Sequence, residues 1–425
     1  MLDPARYPLD RIAARVGTPF YLYDAARLRE RTSRLAAVAA RPGLAVRYSM
    51  KANSARPVLD TVRAGGLWID AAGGNEVLRA LRAGFPGGFD PPEIMLATDV
   101  FRDGAAAVAA EQRVLTSVGS PGMVEELSRA GYEGPIGVRV NPGFGHGHVA
   151  ACDTGGPSSK HGVWPDDLAR VRRDAREAGL PIATLHAHVG TGPTLLEFDE
   201  NLRRLVDFFA ALLPEFPDVV AVDLGGGFPF PYRPDEAAYD DSRLSHALEA
   251  ARRRLTEAAS RPIRVEVEPG RFLAAAMGIL VARVKEVKRT TSNEKSEGHT
   301  FAMVDAGFCD FLRPALYGSY HRIDVVGAGA NRKPEPLVVA GPLCESGDVF
   351  TRDAHELLDP RPLPRPEPGD LVVLQDAGAY GASMSMSYVS MGRAPIVWWD
   401  EGRGRVISRR ETLDDLTGLE TDEAI

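Results

Sequence analysis

LAVRYSMK (44–51) and IRVEVEPG (263–270) are the first and last of eight similar runs, and their reading decides the fold. Each is a short stretch of strand-forming residues that ends on small or polar ones. The six between them are GLWIDAA (66–72), EIMLATD (93–99), RVLTSVG (113–119), IGVRVNP (136–142), ATLHAHVG (183–190) and VVAVDLGGG (219–227). Segments with apolar residues at helical spacing alternate with them: NEVLRALRAG (75–84), MVEELSRAG (123–131), PDDLARVRRDAREAG (165–179) and SRLSHALEAARRRLTEAAS (242–260). Gly84, Gly131 and Gly179 stand where a helix-ending glycine belongs. Repeated strand–helix units predict an α/β fold, a (β/α)8 TIM-like barrel. An open doubly wound sheet has the same local pattern and is the alternative.

Beyond about residue 275 the texture changes. GILVARVKEVKR, HTFAMVDAG, EPLVVAGPL and DLVVLQDAGAY read as strands, with RTTSNEKSEGH (289–299) as a hairpin turn and DPRPLPRPEPG (359–369) as a proline-rich surface loop. The expected division is a barrel over 30–275 and a C-terminal mostly-β domain, sandwich or barrel, over 276–425. That domain also takes up residues 1–29 with the strand-like TPFYLYD (18–24).

Composition bounds the function. The chain has 425 residues, 44% of them apolar and 25% charged, which fits a packed globular protein. A net charge of −8 supplies no basic field, so nucleic acid is not an expected partner. Three cysteines, Cys152, Cys309 and Cys344, form no disulfide framework and point to a reducing cytoplasm. No run approaches the roughly 20 apolar residues of a membrane helix, and MLDPARYPLD does not read as a signal peptide.

In a barrel, chemistry collects at the C-terminal ends of the strands. Reading those ends gives Lys51, Asn141, His188, the triplet Gly225, Gly226 and Gly227, and Glu268. Taken singly each has a bland explanation: a solvated lysine, a hydrogen-bonded histidine, a turn. Together they suit pyridoxal phosphate. Lys51 can form a Schiff base with the aldehyde, and its sequence neighbours Ser49, Met50 and Asn53 are uncharged. Glycines admit a phosphate close to the backbone, an imidazole can stack on the ring, and Glu268 can hold the pyridine nitrogen protonated. Arg271 adds a positive charge. His146 and His148 lie in a glycine-rich loop without a carboxylate or thiolate set, so no metal is expected.

The chain resembles the alanine-racemase-fold group of pyridoxal-phosphate decarboxylases and, within it, the diaminopimelate decarboxylase family. The matching stretches are YSMKAN (48–53), RVNPGFGHGH (139–148), SKHGVW (159–164), HAHVGTG (186–192), DLGGGF (223–228), EPGRFL (268–273), VDAGFCDFLRPALYGSYH (304–321), GPLCESGDVF (341–350) and DAGAYGASM (376–384). The resemblance implies a carboxy-lyase of lysine biosynthesis that removes CO₂ from the D-centre of meso-2,6-diaminopimelate. It implies that Lys51 carries the cofactor and His188 stacks on its ring. Gly226, Gly227 and Arg271 would contact the phosphate side, Glu268 the pyridinium, and Tyr380 both phosphate and substrate. Cys344 would be the proton donor and Glu345 would recognise the distal amine. Arg313 and Tyr317 would bind the distal carboxylate, with Arg271 near the substrate. It also implies a homodimer whose active site is shared between subunits.

Cys344 lies in a segment too polar for a core, whereas Cys152 and Cys309 read as small buried hydrophobes. The chain departs from the family at 386–392. Val389 stands where the family usually has asparagine, and an Arg-Pro pair is lost. Local repacking accounts for this, as does altered substrate choice: a D-ornithine or D-lysine type of decarboxylase, or one acting on an amino-acid conjugate. A non-catalytic cofactor-binding relative would be expected to lose Lys51 or Cys344, and an amino-acid racemase would not explain GPLCESGD.

Overall fold

The computed structural model describes residues 1–145, 147, 153–192, 194–294, 297–327 and 332–423. Cys152, His146 and His148 lie outside them. The chain divides into two compact units, Met1–Leu28 with Tyr232–Glu236 and Ala274–Ile425, and Arg29–Pro231 with Ala237–Leu273. Strand β1 (Phe20–Asp24) falls in the first unit.

The second unit is the barrel. Its strands are β2 (Leu44–Ser49), β3 (Trp68–Ala71), β4 (Ile94–Thr98), β5 (Leu115–Val118), β6 (Ile136–Arg139), β7 (Ile182–His186), β8 (Ala221–Asp223) and β9 (Arg264–Val267), all parallel to their neighbours. Seven lie inside the predicted runs, and β7 begins one residue before its run at 183. Pairing of Leu44 with Val265 and of Val46 with Val267 joins the last strand to the first, which closes the barrel and excludes the open sheet. β2 is buried at all six positions, as expected of a parallel strand covered on both faces. The intervening helices bury one stripe. Leu195–Leu212 buries Phe198, Leu202, Leu205, Val206 and Phe209, and opens on a capping box between Thr194 and Glu197. Gly84, Gly131 and Gly179 have φ of +87°, +73° and +70°, the left-handed turn that ends a helix.

The barrel interior is charged as well as apolar. Arg47 on β2 is fully buried and donates from Nε to Glu266 Oε2 on β9 at 2.5 Å and from Nη1 to the Pro92 carbonyl at 2.8 Å. Arg264 donates to the other Glu266 oxygen at 2.7 Å, and both guanidiniums lie over the Trp68 ring. Breaking a buried pair from one side strands the other charge. Arg47→Leu is therefore expected to lower unfolding free energy by about 3–5 kcal/mol, read by urea denaturation. A change below about 1 kcal/mol would show the pair to be structurally idle.

The first unit carries a mixed sheet. Its other strands are β10 (Gly278–Arg289), β11 (Thr300–Val304), β12 (Ile323–Val326), β13 (Pro334–Ala340), β14 (Arg361–Pro364), β15 (Leu371–Leu374), β16 (Ile396–Asp400) and β17 (Arg403–Ser408). Among the described residues nine strands join, the main path running β14-β13-β11-β10-β1-β16-β17, with β15 on β10 and β12 on β15. β1 pairs with β10 and β16, so the N-terminal strand belongs to this sheet as expected. β10 serves two halves: its start pairs with β1 and β15, and beyond a bulge at Val284/Glu286 its end pairs with β11. One expectation is corrected: within 359–369, Arg361–Pro364 forms β14 against β13. Its prolines are tolerated because β14 is an edge strand. No helix among the described residues is long and apolar enough to cross a membrane.

Candidate active site

The barrel residues singled out by the sequence gather at the strand ends. Lys51 sits in a short 3-10 turn (Met50–Ala52) directly after β2. Its sequence neighbours are uncharged, but in space it interacts with the carboxyls of Asp70, Glu76 and Glu268. Acidic groups from other strands and helices thus face the amine. Asp70, on β3, accepts from Ser49 Oγ at 2.7 Å. Burial and the nearby Glu268 push its carboxyl up to about 6.

His188 lies two residues past β7. Its Nδ1 accepts from the Gly226 amide at 3.2 Å, and its Nε2 is 3.3 Å from Thr191 Oγ1. Burial, with Lys51 and Arg139 nearby, holds the imidazole well below its ordinary value, so it is neutral at pH 7, as suits stacking on a ring. The glycine turn after β8 is tight. A methyl on Gly225 would come within 2.5 Å of the Ala187 carbonyl, on Gly226 within 2.5 Å of the Glu268 carbonyl, and on Gly227 within 2.2 Å of the Gly190 carbonyl. Gly225 and Gly227 have φ of +71° and +87°, which only glycine adopts freely. The Gly225 amide donates to Asp223 Oδ1 at 2.8 Å.

Glu268 follows β9 and is buried. Its Oε2 lies 3.5 Å from His186 Nε2, while Oε1 is buried with no hydrogen-bond partner among the described residues. Burial opposes its charge, yet His186, Lys51 and His188 hold the carboxyl down at about 2. Asp223 at the end of β8 is pushed well above its ordinary value by burial and by Glu268 and Glu266. An ionised, buried carboxylate with one oxygen unmatched is what a protonated ring nitrogen requires. The amine, imidazole, glycine turn and carboxylate therefore fit pyridoxal phosphate. Arg271 begins the one-turn helix Arg271–Ala274, three residues after Glu268.

The remaining expected residues lie in the other unit. Arg313 is 2% exposed, opens the helix Arg313–Tyr317, and donates to His321 Nε2 and Ser319 Oγ, each at 3.2 Å. Its guanidinium lies 5.8 Å from the Tyr380 ring centre and 5.5 Å from that of Tyr232. Tyr317 ends the same helix. Tyr380 has φ of +56°, an unusual conformation for an aromatic residue and one found at functional sites. His321 was quoted only as part of a motif; buried, it braces Arg313 and lies 2.9 Å from the Gln375 carbonyl through Nδ1.

Cys344 is an exposed free thiol and Cys309 a buried one. The Cys344 loop is stapled by Asp348, which accepts from the Leu343 amide at 2.8 Å and the Phe308 amide at 2.7 Å. Glu345 accepts from Tyr388 Oη, and the Tyr388 ring stacks on Phe308 at 5.6 Å. Val389, at the position that departs from the family, has φ of +57° and is half-exposed. A β-branched residue pays about 1–2 kcal/mol in that region, which asparagine visits readily. Val389→Asn is expected to raise unfolding free energy by about 1 kcal/mol in denaturant titration; an unchanged or lower value would show that the segment is unstrained.

The family described as "Pyridoxal-dependent decarboxylase, pyridoxal binding domain" matches residues 25–275. The chain is 40% identical over 413 residues to the diaminopimelate decarboxylase of Streptomyces coelicolor, covering 96% of this chain and 91% of that one. The chain belongs to the diaminopimelate decarboxylase family. It is a carboxy-lyase, and pyridoxal phosphate is its cofactor. A crystal structure of a diaminopimelate decarboxylase superposes with a TM-score of 0.87 at 36% identity, covering 97% of this chain and 95% of that one. The family's Helicobacter pylori member, solved with L-lysine, gives 0.83 at 26% identity, covering 97% and 98%. Both units are thus family features.

Proposed function

We propose that this chain removes CO₂ from the D-configured carbon of meso-2,6-diaminopimelate and releases L-lysine, using the residues assembled above in named roles. The observation that carries the reading is Glu268, ionised and buried with Oε1 unmatched, beside Lys51, His188 and the glycine turn. The cofactor, when bound, supplies the electron sink for the carbon that loses CO₂. Lys51 holds the aldehyde and is displaced by the substrate amine. His188 stacks as a neutral ring, Glu268 keeps the pyridine nitrogen protonated, and Gly226, Gly227, Arg271 and Tyr380 hold the phosphate side. Arg271, Arg313 and Tyr317 bind the distal carboxylate end, where a guanidinium fork suits a carboxylate. Glu345 takes the distal amine, and Cys344 protonates the carbon. We assign 30–275 to cofactor binding and 1–29 with 276–425 to the β-domain. The working form is a cytoplasmic homodimer in which Cys344 and Glu345 of the partner subunit complete each site.

The test is product identification by mass spectrometry with diaminopimelate, D-lysine and D-ornithine competing. Lysine as the dominant product is expected. The altered run at Val389 favours a second reading, a decarboxylase of a D-amino acid without a distal carboxylate. A dominant yield of the corresponding diamine would establish that reading and remove the first. Light scattering of the eluted protein checks the dimer, and a monomer with full turnover would exclude the shared site.

A further inference from the structure

HAHVGTG (186–192) carries two histidines, and only His188 has so far been given a role. His186 is the last residue of β7 and is 2% exposed. Alternation along a strand turns residues two apart to the same side. Its ring is hydrogen-bonded through Nδ1, while the buried Nε2 has no hydrogen-bond partner among the described residues and faces the Glu268 carboxylate. Nδ1 is 3.1 Å from Ser117 Oγ, a fully buried hydroxyl on β5, and Nε2 is 3.5 Å from Glu268 Oε2. Asp223 completes the group, with ligand-type atoms of His186, Asp223 and Glu268 all within 4.8 Å of one another.

We propose that His186 is the positioning residue for Glu268: its Nε2–H, oriented by Ser117, holds Oε2 and leaves Oε1 as the oxygen that meets the cofactor's ring nitrogen. The inference rests on the role given to Glu268 above. Its physical ground is a choice among three buried carboxyls. Asp70 and Asp223 each interact with Glu268, and like charges so close cannot all ionise in a poorly solvated interior. Asp70 has a serine hydroxyl as partner, and Asp223 Oδ1 accepts from the Gly225 amide. Glu268 is the one whose oxygen lies 3.5 Å from the His186 Nε2, and a ring N–H that is itself anchored selects which carboxyl keeps the charge and which way it turns. The same three side chains also have the spacing of a metal site, and the experiment separates that possibility.

The enzyme is loaded with pyridoxal phosphate carrying ¹⁵N in the ring, and the ring-nitrogen chemical shift is measured without substrate. The wild type is expected to show the protonated value. His186→Leu is expected to move the shift toward the unprotonated value and to lower kcat about 10–100-fold, with KM changed far less. His186→Gln, whose amide reaches the Nε2 position, is expected to restore the protonated shift. Ser117→Ala, which only frees the imidazole, is expected to fall between. A wild-type shift in folded His186→Leu would overturn the proposal. So would failure of His186→Gln to restore it. If His186→Leu does not fold, Ser117→Ala decides: a shift moved part-way to the unprotonated value with a lower kcat supports the proposal, and a wild-type shift there overturns it. One equivalent of tightly bound zinc in the apoprotein, lost in His186→Leu, would assign the cluster to metal instead. The shift needs no turnover, so a wild type that makes no lysine would defeat the proposed reaction and leave this readout intact.

Discussion

Lys51→Ala is expected to abolish the visible absorbance of the cofactor-loaded enzyme and to cut turnover on the order of 10⁴-fold or more. The lysine sits in the turn after β2 and faces Asp70, Glu76 and Glu268, so its replacement removes the proposed covalent anchor together with a positive charge that acts on all three carboxyls. The two losses separate in experiment. Absorbance and equilibrium dialysis report the anchor, and steady-state kinetics with diaminopimelate reports the chemistry. A small added amine should recover part of the turnover in the variant if the amine itself is what is missing. Near-wild-type turnover without Lys51 would sink the assignment of the whole barrel site.

Cys344→Ala is expected to lower kcat by about 10²–10⁴-fold, the range for loss of a general acid, while KM moves only a few-fold. The control is Cys309→Ala. Cys309 is 1% exposed, and burial beside Asp310 pushes its thiol up to about 12, so it is a packed side chain and its removal should leave kcat unchanged. Cys344 is presented differently, on a loop held by hydrogen bonds from two backbone amides to the Asp348 carboxylate. If both cysteine variants retain kcat, the proton reaches the carbon from another group. If Cys344→Ala loses activity through KM alone, the loop serves binding and not proton transfer.

The barrel was readable because strands buried on both faces leave near-continuous apolar runs, and each of the eight runs matches a strand, β7 alone beginning one residue before its run. Closure was not readable in the same way. It depends on Leu44 meeting Val265, residues at opposite ends of the barrel sequence, and no local pattern carries that. The same distance hid the Arg47–Glu266 pair, since each residue taken alone looks like a polar position on a half-exposed strand. β14 was missed because its prolines signal a loop, and only its place at a sheet edge permits them. At the site, residue types in motif order disclosed Lys51, His188 and Glu268. They did not disclose what surrounds them. The neighbours of Lys51 in YSMKAN are uncharged, and the carboxyls that face it come from other parts of the barrel. His186 and His321 were in plain view inside quoted motifs. Both act through another residue, and such roles have no signature in one sequence.

The hydrogen bond from the Gly226 amide to His188 Nδ1 makes the imidazole and the glycine turn one mechanical piece. Genetic analysis of this site therefore inherits epistasis. A substitution at His188 loosens the turn as well as the ring, and a side chain at Gly226 displaces the imidazole as well as the backbone. Measured alone, each change reports the sum of both losses, and the double variant falls short of the product of the two. Evolution meets the same constraint: neither half of the cradle can drift without the other.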